Sequence, residues 1–213
     1  MNKYLNRIDA GQILGKVVAS RMTTADHPIV LALPRGGVPV GAEVARAIGG
    51  ELDLLIVRKL GMPFDPEYAF GAIGAGDAMF IDRQLVDRVG LSQEQIDAIV
   101  ERERAELARR EAKYRAGRAP LNVAGRTVVV VDDGIATGAS MKAALEVLRG
   151  LKPGRVVLAL PVAPADCRGE FAGLVDEFIC PLEVMGLGGV GSWYESYEQV
   201  EDEEVLALLI QSR

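Results

Sequence analysis

Five β-branched side chains in succession, Thr127-Val128-Val129-Val130-Val131, run straight into two carboxylates, Asp132-Asp133, and then into Gly134-Ile135-Ala136-Thr137-Gly138-Ala139-Ser140. Side chains of that shape pack well on a pleated surface and lose freedom in a helix. A run without polar alternation is the mark of a strand covered on both faces, which places this one inside a parallel sheet. Such a sheet needs partners, and four other short apolar runs supply them, at Ile29–Leu33, Asp53–Val57, Arg155–Leu160 and Leu174–Cys180. Segments of helical spacing lie between them, as at Val40–Ile48 and Met141–Leu148. The alternation predicts an α/β fold with a central, mostly parallel five-stranded sheet flanked by helices.

At 213 residues, with 49% hydrophobic side chains, the chain has material for one sizeable core and a small appended lobe, and it reads as a single domain. The longest predicted helix starts at Ser92, whose capping box with Gln95 is flanked by Leu91 and Ile96, and runs to about Tyr114. Its apolar stripe of Ile96, Ile99, Val100, Leu107 and Tyr114 is narrow, and the charged remainder reads as a solvated face. Gly61–Asp82 is rich in Gly and Pro without a clear period and reads as a long loop or hairpin able to move over a site. A final short helix is expected at about Glu203–Ile210, with Glu201, Asp202, Glu203 and Glu204 at its positive end.

Several function classes fall away. The net charge of −6 opposes binding to nucleic acid or to a membrane surface. No segment has the roughly 18 consecutive apolar residues of a membrane helix, and the first residues lack the apolar run of a signal peptide, so a soluble, cytoplasmic protein is expected. Cys167 and Cys180 lack metal or redox spacing and read as small buried hydrophobes. His27, the one histidine, lies in a turn-like segment and argues against a Ser-His-Asp triad or a histidine-built zinc site.

The glycine-containing turn after Asp133 brings successive backbone N–H groups together where a helix begins, an arrangement suited to a phosphate dianion, and Thr137 and Ser140 add hydroxyl donors. The two acids cannot both face that phosphate, because like charges about 4 Å apart cost on the order of 1 to 4 kcal/mol. A polyol such as a ribose, whose hydroxyls donate to carboxylates, is the sensible partner. Leu33-Pro34-Arg35-Gly36-Gly37-Val38-Pro39 offers a second anion loop, and Arg58 and Lys59 place two cations at the end of the second strand, at the sheet edge where α/β proteins bind ligands.

Over Val128–Ser140 the sequence resembles the thirteen-residue motif of the type I phosphoribosyltransferases, proteins that use 5-phosphoribosyl-1-diphosphate (PRPP). The resemblance covers roughly residues 29 to 162. It implies that Asp132 and Asp133 hold the ribose hydroxyls, that Gly134, Ile135, Ala136, Thr137, Gly138 and Ser140 bind the 5-phosphate, and that Arg35, Gly36 and Gly37 bind pyrophosphate through a strained or cis peptide, with strain admissible at the two glycines. Arg58 and Lys59 are then assigned to the diphosphate and to catalysis, residues 61–82 to a mobile lid and Glu67 to its carboxylate. Mg²⁺ is the implied cofactor, held mainly by PRPP and touched by Asp132 and Asp133 through water. The implied partners are PRPP and a small nitrogenous acceptor such as a nucleobase, and the implied assembly is a homodimer. Ala136 stands where hypoxanthine/guanine members carry a further aspartate, which speaks against a 6-oxopurine acceptor.

A hood or C-terminal lobe is expected over about residues 181–213, with which the N-terminal segment could associate. Trp193 or Tyr194 would stack there on an acceptor ring. Gly186-Leu187-Gly188-Gly189-Val190-Gly191 satisfies the dinucleotide fingerprint in form, but Pro181 and the short remainder of the chain deny it a strand-helix context. Two rival readings remain: a PRPP-binding regulator without transferase activity, and a hydrolase using the paired acids.

Overall fold

The computed structural model describes residues 3–22, 27–76, 78–115 and 119–212. The chain divides into two compact units. The first comprises Met1–Leu55, Leu121–Gly138 and Pro153–Arg213, and the second Ile56–Pro120 and Ala139–Lys152.

The first unit holds the parallel sheet. Its strands are β1 (Ile29–Ala32), β2 (Glu51–Leu54), β6 (Thr127–Val131), β7 (Arg155–Ala159) and β9 (Glu177–Ile179), in the order β2-β1-β6-β7-β9 with every neighbouring pair parallel. Val128 to Val131 are fully buried, as an unalternating run requires, because both faces of this strand are covered. Helix α1 (Arg7–Ala19) packs on α2 (Gly37–Ile48), and a small parallel pair, β8 (Val162–Pro164) with β10 (Leu182–Val184), lies outside the main sheet. Helix α6 (Asp202–Gln211) ends the unit, close to the predicted span and with acids in its first turn. Asp53 is buried, and its carboxylate accepts the N–H of Leu54 and of Leu121, each at 2.8 Å, fixing the point where the chain re-enters this unit.

The second unit is an antiparallel sheet of β3 (Val57–Met62), β4 (Asp65–Gly74) and β5 (Met79–Ile81), with α3 (Arg83–Val89), α4 (Gln93–Arg115) and α5 (Ala139–Gly150). Ser92 and Gln95 form the expected capping box, with bonds of 3.0 and 3.2 Å.

Two expectations need correction and a third is narrowed. The run Asp53–Val57 is not one strand: its apolar character continues through buried Leu55 and Ile56, yet pairing stops at Leu54 and resumes at Val57 in the other sheet. Of the two readings given for Gly61–Asp82, a long loop or a hairpin, the hairpin holds. It is the body of the β3-β4-β5 meander, and its period is obscured by register shifts at Leu60/Gly61 and Gly61/Met62, where Gly61 sits against the Pro66 backbone. The strand expected over Leu174–Cys180 is also shorter, Glu177–Ile179, because residues 172–175 form a turn with Gly173 at φ 84.

Candidate functional site

Strands β1 and β6 are parallel neighbours with Ala32 opposite Val131, so the loops that follow them leave the carboxyl end of the sheet side by side. The Leu33 N–H donates to the Val131 carbonyl at 2.9 Å and ties the loops together. The Pro34–Arg35 peptide is cis, one step before the glycines at which an unusual peptide was expected. Gly36 has ordinary helical angles, φ −59 and ψ −33. The two glycines serve close approach instead: a Cβ on Gly36 would lie 2.2 Å from Asp133 Oδ2, and one on Gly37 2.9 Å from both Asp132 Cα and the Val131 carbonyl oxygen.

The two aspartates have different surroundings. Asp132 Oδ1 accepts the Asp133 N–H at 2.8 Å. Although Asp132 retains partial exposure as a residue, burial of its carboxyl, and secondly the charge of Asp133, pushes its pKa well above the ordinary carboxylate range. Asp133 is buried, and its Oδ2 receives both Arg7 Nε at 2.8 Å and the Tyr197 hydroxyl at 2.9 Å. One acid is thus neutralised by a cation while the other is driven toward its protonated form, which relieves the like-charge conflict between neighbours.

This arrangement predicts a pH signature. A carboxyl whose folded-state pKa is raised holds its stabilising proton at low pH and weakens the fold as pH rises through the raised value. Asp132→Asn removes that liability while keeping an oxygen for the Asp133 N–H. Thermal unfolding should therefore show the variant more stable than wild type at pH 8, with the gap closing as pH falls toward 4.

After Asp133 the chain turns sharply. Gly134 has φ 150, and a Cβ there would meet Val162 and Val190 side chains at 2.8 and 2.7 Å. Ile135 is buried and its N–H donates to the Val162 carbonyl at 3.3 Å, so this amide anchors the loop instead of facing a ligand, contrary to its assignment to the phosphate. Ala136 and Thr137 are exposed at the tip, and Gly138 closes the loop at φ 70. Among the described residues no acceptor meets the N–H groups of Ala136, Thr137 and Gly138.

An open pocket of about 440 Å³ lies beside these loops, lined by Arg7, Arg35, Gly36, Asp133, Tyr197 and Gln199 among others. Arg35 faces it within ion-pair range of Glu201 (3.7 Å) and Asp202 (3.9 Å). Tyr194 is 3% exposed, its ring lies against Tyr4 and Tyr197, and its hydroxyl donates to the Asp133 carbonyl. It is a post beneath the site and offers no ring face for stacking, which corrects its expected role. Trp193 is half-buried on the same apolar cluster and donates to the Leu187 carbonyl at 3.0 Å. The glycine-rich stretch leads only into a four-residue 3-10 helix, Val190–Trp193, with no helix of dinucleotide-binding type.

Sequence reasoning missed Arg7 and Tyr197. The N-terminal helix had a readable signal, Asn6 capping the Asp9 N–H at 3.0 Å, but nothing local links residues 7, 133 and 197.

The remaining assigned residues belong to the second unit. Arg58 does not end a core strand; it lies within β3, where Nε and Nη2 donate to Glu103 Oε2 of α4 at 2.9 and 2.7 Å. Lys59 points to the opposite side of the strand and lines a pocket of about 380 Å³ with Tyr68, Phe80, Asp82, Lys142 and Glu146. Ser140 is exposed in the first turn of α5. Glu67 has its backbone in β4, and its side chain lies outside the described residues.

The comparisons with known proteins bear on the family and the fold. The model of the phosphoribosyl transferase domain matches residues 78–181. Two strains of Mycobacterium tuberculosis carry proteins provisionally named phosphoribosyl transferases that are 43% identical over 209 residues, covering 98% of this chain and 47% of each relative. The chain thus spans about half the length of these curated relatives. The crystal structure of a Thermus thermophilus protein, TT1426, is similar at 38% identity and a TM-score of 0.90, covering 100% of this chain and 99% of that one. A Neisseria gonorrhoeae protein solved with bound ppGpp is similar in fold, with a TM-score of 0.52 at 12% identity and coverage of 100% and 99%.

Proposed function

Because the chain belongs to the phosphoribosyl transferase family, we propose that it binds PRPP with Mg²⁺ and transfers the 5-phosphoribosyl group to a nitrogenous acceptor, most simply a nucleobase. The observation that carries this reading is the joining of two loops: the glycine loop bearing Arg35 lies against the paired acids at the end of β6, with no room for a Cβ between them. In the transfer the bond from C1 of the ribose to diphosphate oxygen breaks, the diphosphate leaves with the electron pair, a bond forms from C1 to the acceptor nitrogen, and that nitrogen gives up a proton.

Charge on the chain matches those demands. The amides of Ala136, Thr137 and Gly138, which meet no acceptor among the described residues, suit the 5-phosphate, and Arg35 suits the diphosphate. Asp132 and Asp133 suit the ribose hydroxyls, and the Asp133 carboxylate favours positive charge developing at C1. Among the described residues no group of three or more His, Cys, Asp and Glu side chains could hold a metal. A pair of carboxylates alone fits a magnesium ion that arrives on its substrate, since Mg²⁺ keeps phosphate oxygens and water and takes few protein ligands. When bound it neutralises charge on the departing diphosphate.

The test is incubation with PRPP and Mg²⁺ against a panel of bases, amines and orthophosphate, with products identified by mass. Acceptor-dependent pyrophosphate release is expected. Tight PRPP binding without any product across the panel would make the protein a regulator, and phosphate release without acceptor would make it a hydrolase.

A further inference from the structure

The Asp133 carboxylate is held by parts of the chain far from its own loop. Tyr197 is the hub. The Gly191 backbone lies against one side of its ring, so close that a Cβ on Gly191 would fall 2.7 Å from Tyr197 Cδ1. The Arg7 guanidinium lies over the ring 3.9 Å from its centroid, a cation–π contact that also orients the guanidinium. Arg7 is fixed further by donating Nη1 to the Glu198 carbonyl at 2.6 Å. From this stack both polar groups reach the same atom, Asp133 Oδ2, and among the described residues no donor meets Oδ1. Asp133 Oδ2 in turn lies where a Gly36 Cβ would be, so the carboxylate cannot swing toward that loop.

We propose that Arg7 and Tyr197 are positioning residues, which lock Asp133 by its Oδ2 so that Oδ1 is presented to a hydroxyl of the ribose, and that Gly191 is required to seat Tyr197. This rests on the PRPP reading of the site. The side chains act through Asp133 and need not touch the substrate. The energetic reason is that a hydrogen bond to a carboxylate is strong only when its geometry is set in advance, and a short Asp side chain otherwise shares its time among rotamers.

The inference assigns the C-terminal segment and the first turn of α1 a part in sugar recognition. It also gives Gly191 a purpose: the last glycine of the apparent dinucleotide fingerprint is there because an aromatic ring lies on it, not because a pyrophosphate does.

The test compares binding of ribose 5-phosphate with its 2-deoxy and 3-deoxy analogues by calorimetry, alongside PRPP with Mg²⁺, for the full chain and for Tyr197→Phe, Arg7→Lys and Gly191→Ala. Wild type should prefer ribose 5-phosphate over at least one deoxy analogue by roughly tenfold or more, the worth of a hydrogen bond to a charged group. Tyr197→Phe keeps the ring beneath Arg7 and loses only the hydroxyl, so it should reduce that preference several-fold while binding of the deoxy analogue stays within twofold. Gly191→Ala, remote from the sugar, should do the same. A general structural role would weaken all four ligands together and leave the preference intact, and that outcome overturns the positioning proposal while sparing the PRPP reading. Failure of wild type to bind PRPP or ribose 5-phosphate removes both.

Discussion

Gly37→Ala should abolish the proposed PRPP binding and lower unfolding free energy by about 1 to 3 kcal/mol, the usual range for forcing a methyl into a filled interior. The added carbon would sit 2.9 Å from Asp132 Cα and from the Val131 carbonyl oxygen, both backbone atoms of the central strand's end. Neither can step aside alone. Val131 is fully buried and its carbonyl already accepts the Leu33 N–H, so relief requires residues 33–37 to move away from residues 131–133. That motion separates Arg35 from the aspartates and opens the contact on which the site depends. Gly169→Ala is the matched control: a Cβ there meets nothing within 4 Å, and its effect should stay within about 0.5 kcal/mol. Urea unfolding and calorimetry on the two variants check the pair of effects, and equal PRPP affinity for both would show that the loop contact is irrelevant to binding.

The fold was legible wherever local pattern and burial agree. Val128 to Val131 announced a strand covered on both faces, and Ser92 with Gln95 announced the start of α4. Legibility failed where two units share one apolar run, since Leu55 and Ile56 are as buried as the strands they separate and carry no mark of the change in pairing. It failed again in α4. Ile96, Ile99, Glu103 and Leu107 form the buried stripe at helical spacing, and the acid within it was passed over as surface charge, although it is the partner of Arg58. An acid on an apolar stripe demands a cation, and that rule would have pointed to a partner for Glu103 such as Arg58.

The paired acids and the glycine turn after them were legible because they are contiguous in sequence. Arg7 and Tyr197 were not, because they lie 126 and 64 positions from Asp133 and are joined to it only by tertiary folding. Tyr194 misled for a related reason: an aromatic beside glycines suggests a stacking surface, while its phenol spans to the Asp133 carbonyl and its ring fills the core.

Asp133→Asn should lower the proposed transferase turnover by roughly 10²-fold or more, as removal of a preorganised charge at a reacting centre does. The amide oxygen can still accept from both the Tyr197 hydroxyl and Arg7 Nε. The charge is lost, and the guanidinium of Arg7, whose side chain is 11% exposed, no longer faces a carboxylate. A stability loss of about 1.5 to 3 kcal/mol follows, the usual worth of a charge-assisted bond. The substitution also acts on its neighbour. Burial is the first cause of the raised Asp132 pKa and the Asp133 charge the second, so removing that charge should bring the Asp132 carboxyl back toward the ordinary range, while burial still holds it above. Carboxyl-carbon NMR titration of wild type and variant reads this directly. A downward move of the Asp132 transition together with lost turnover is the expected result. An unmoved transition in a fully active variant would mean that the two acids neither share a field nor hold the sugar.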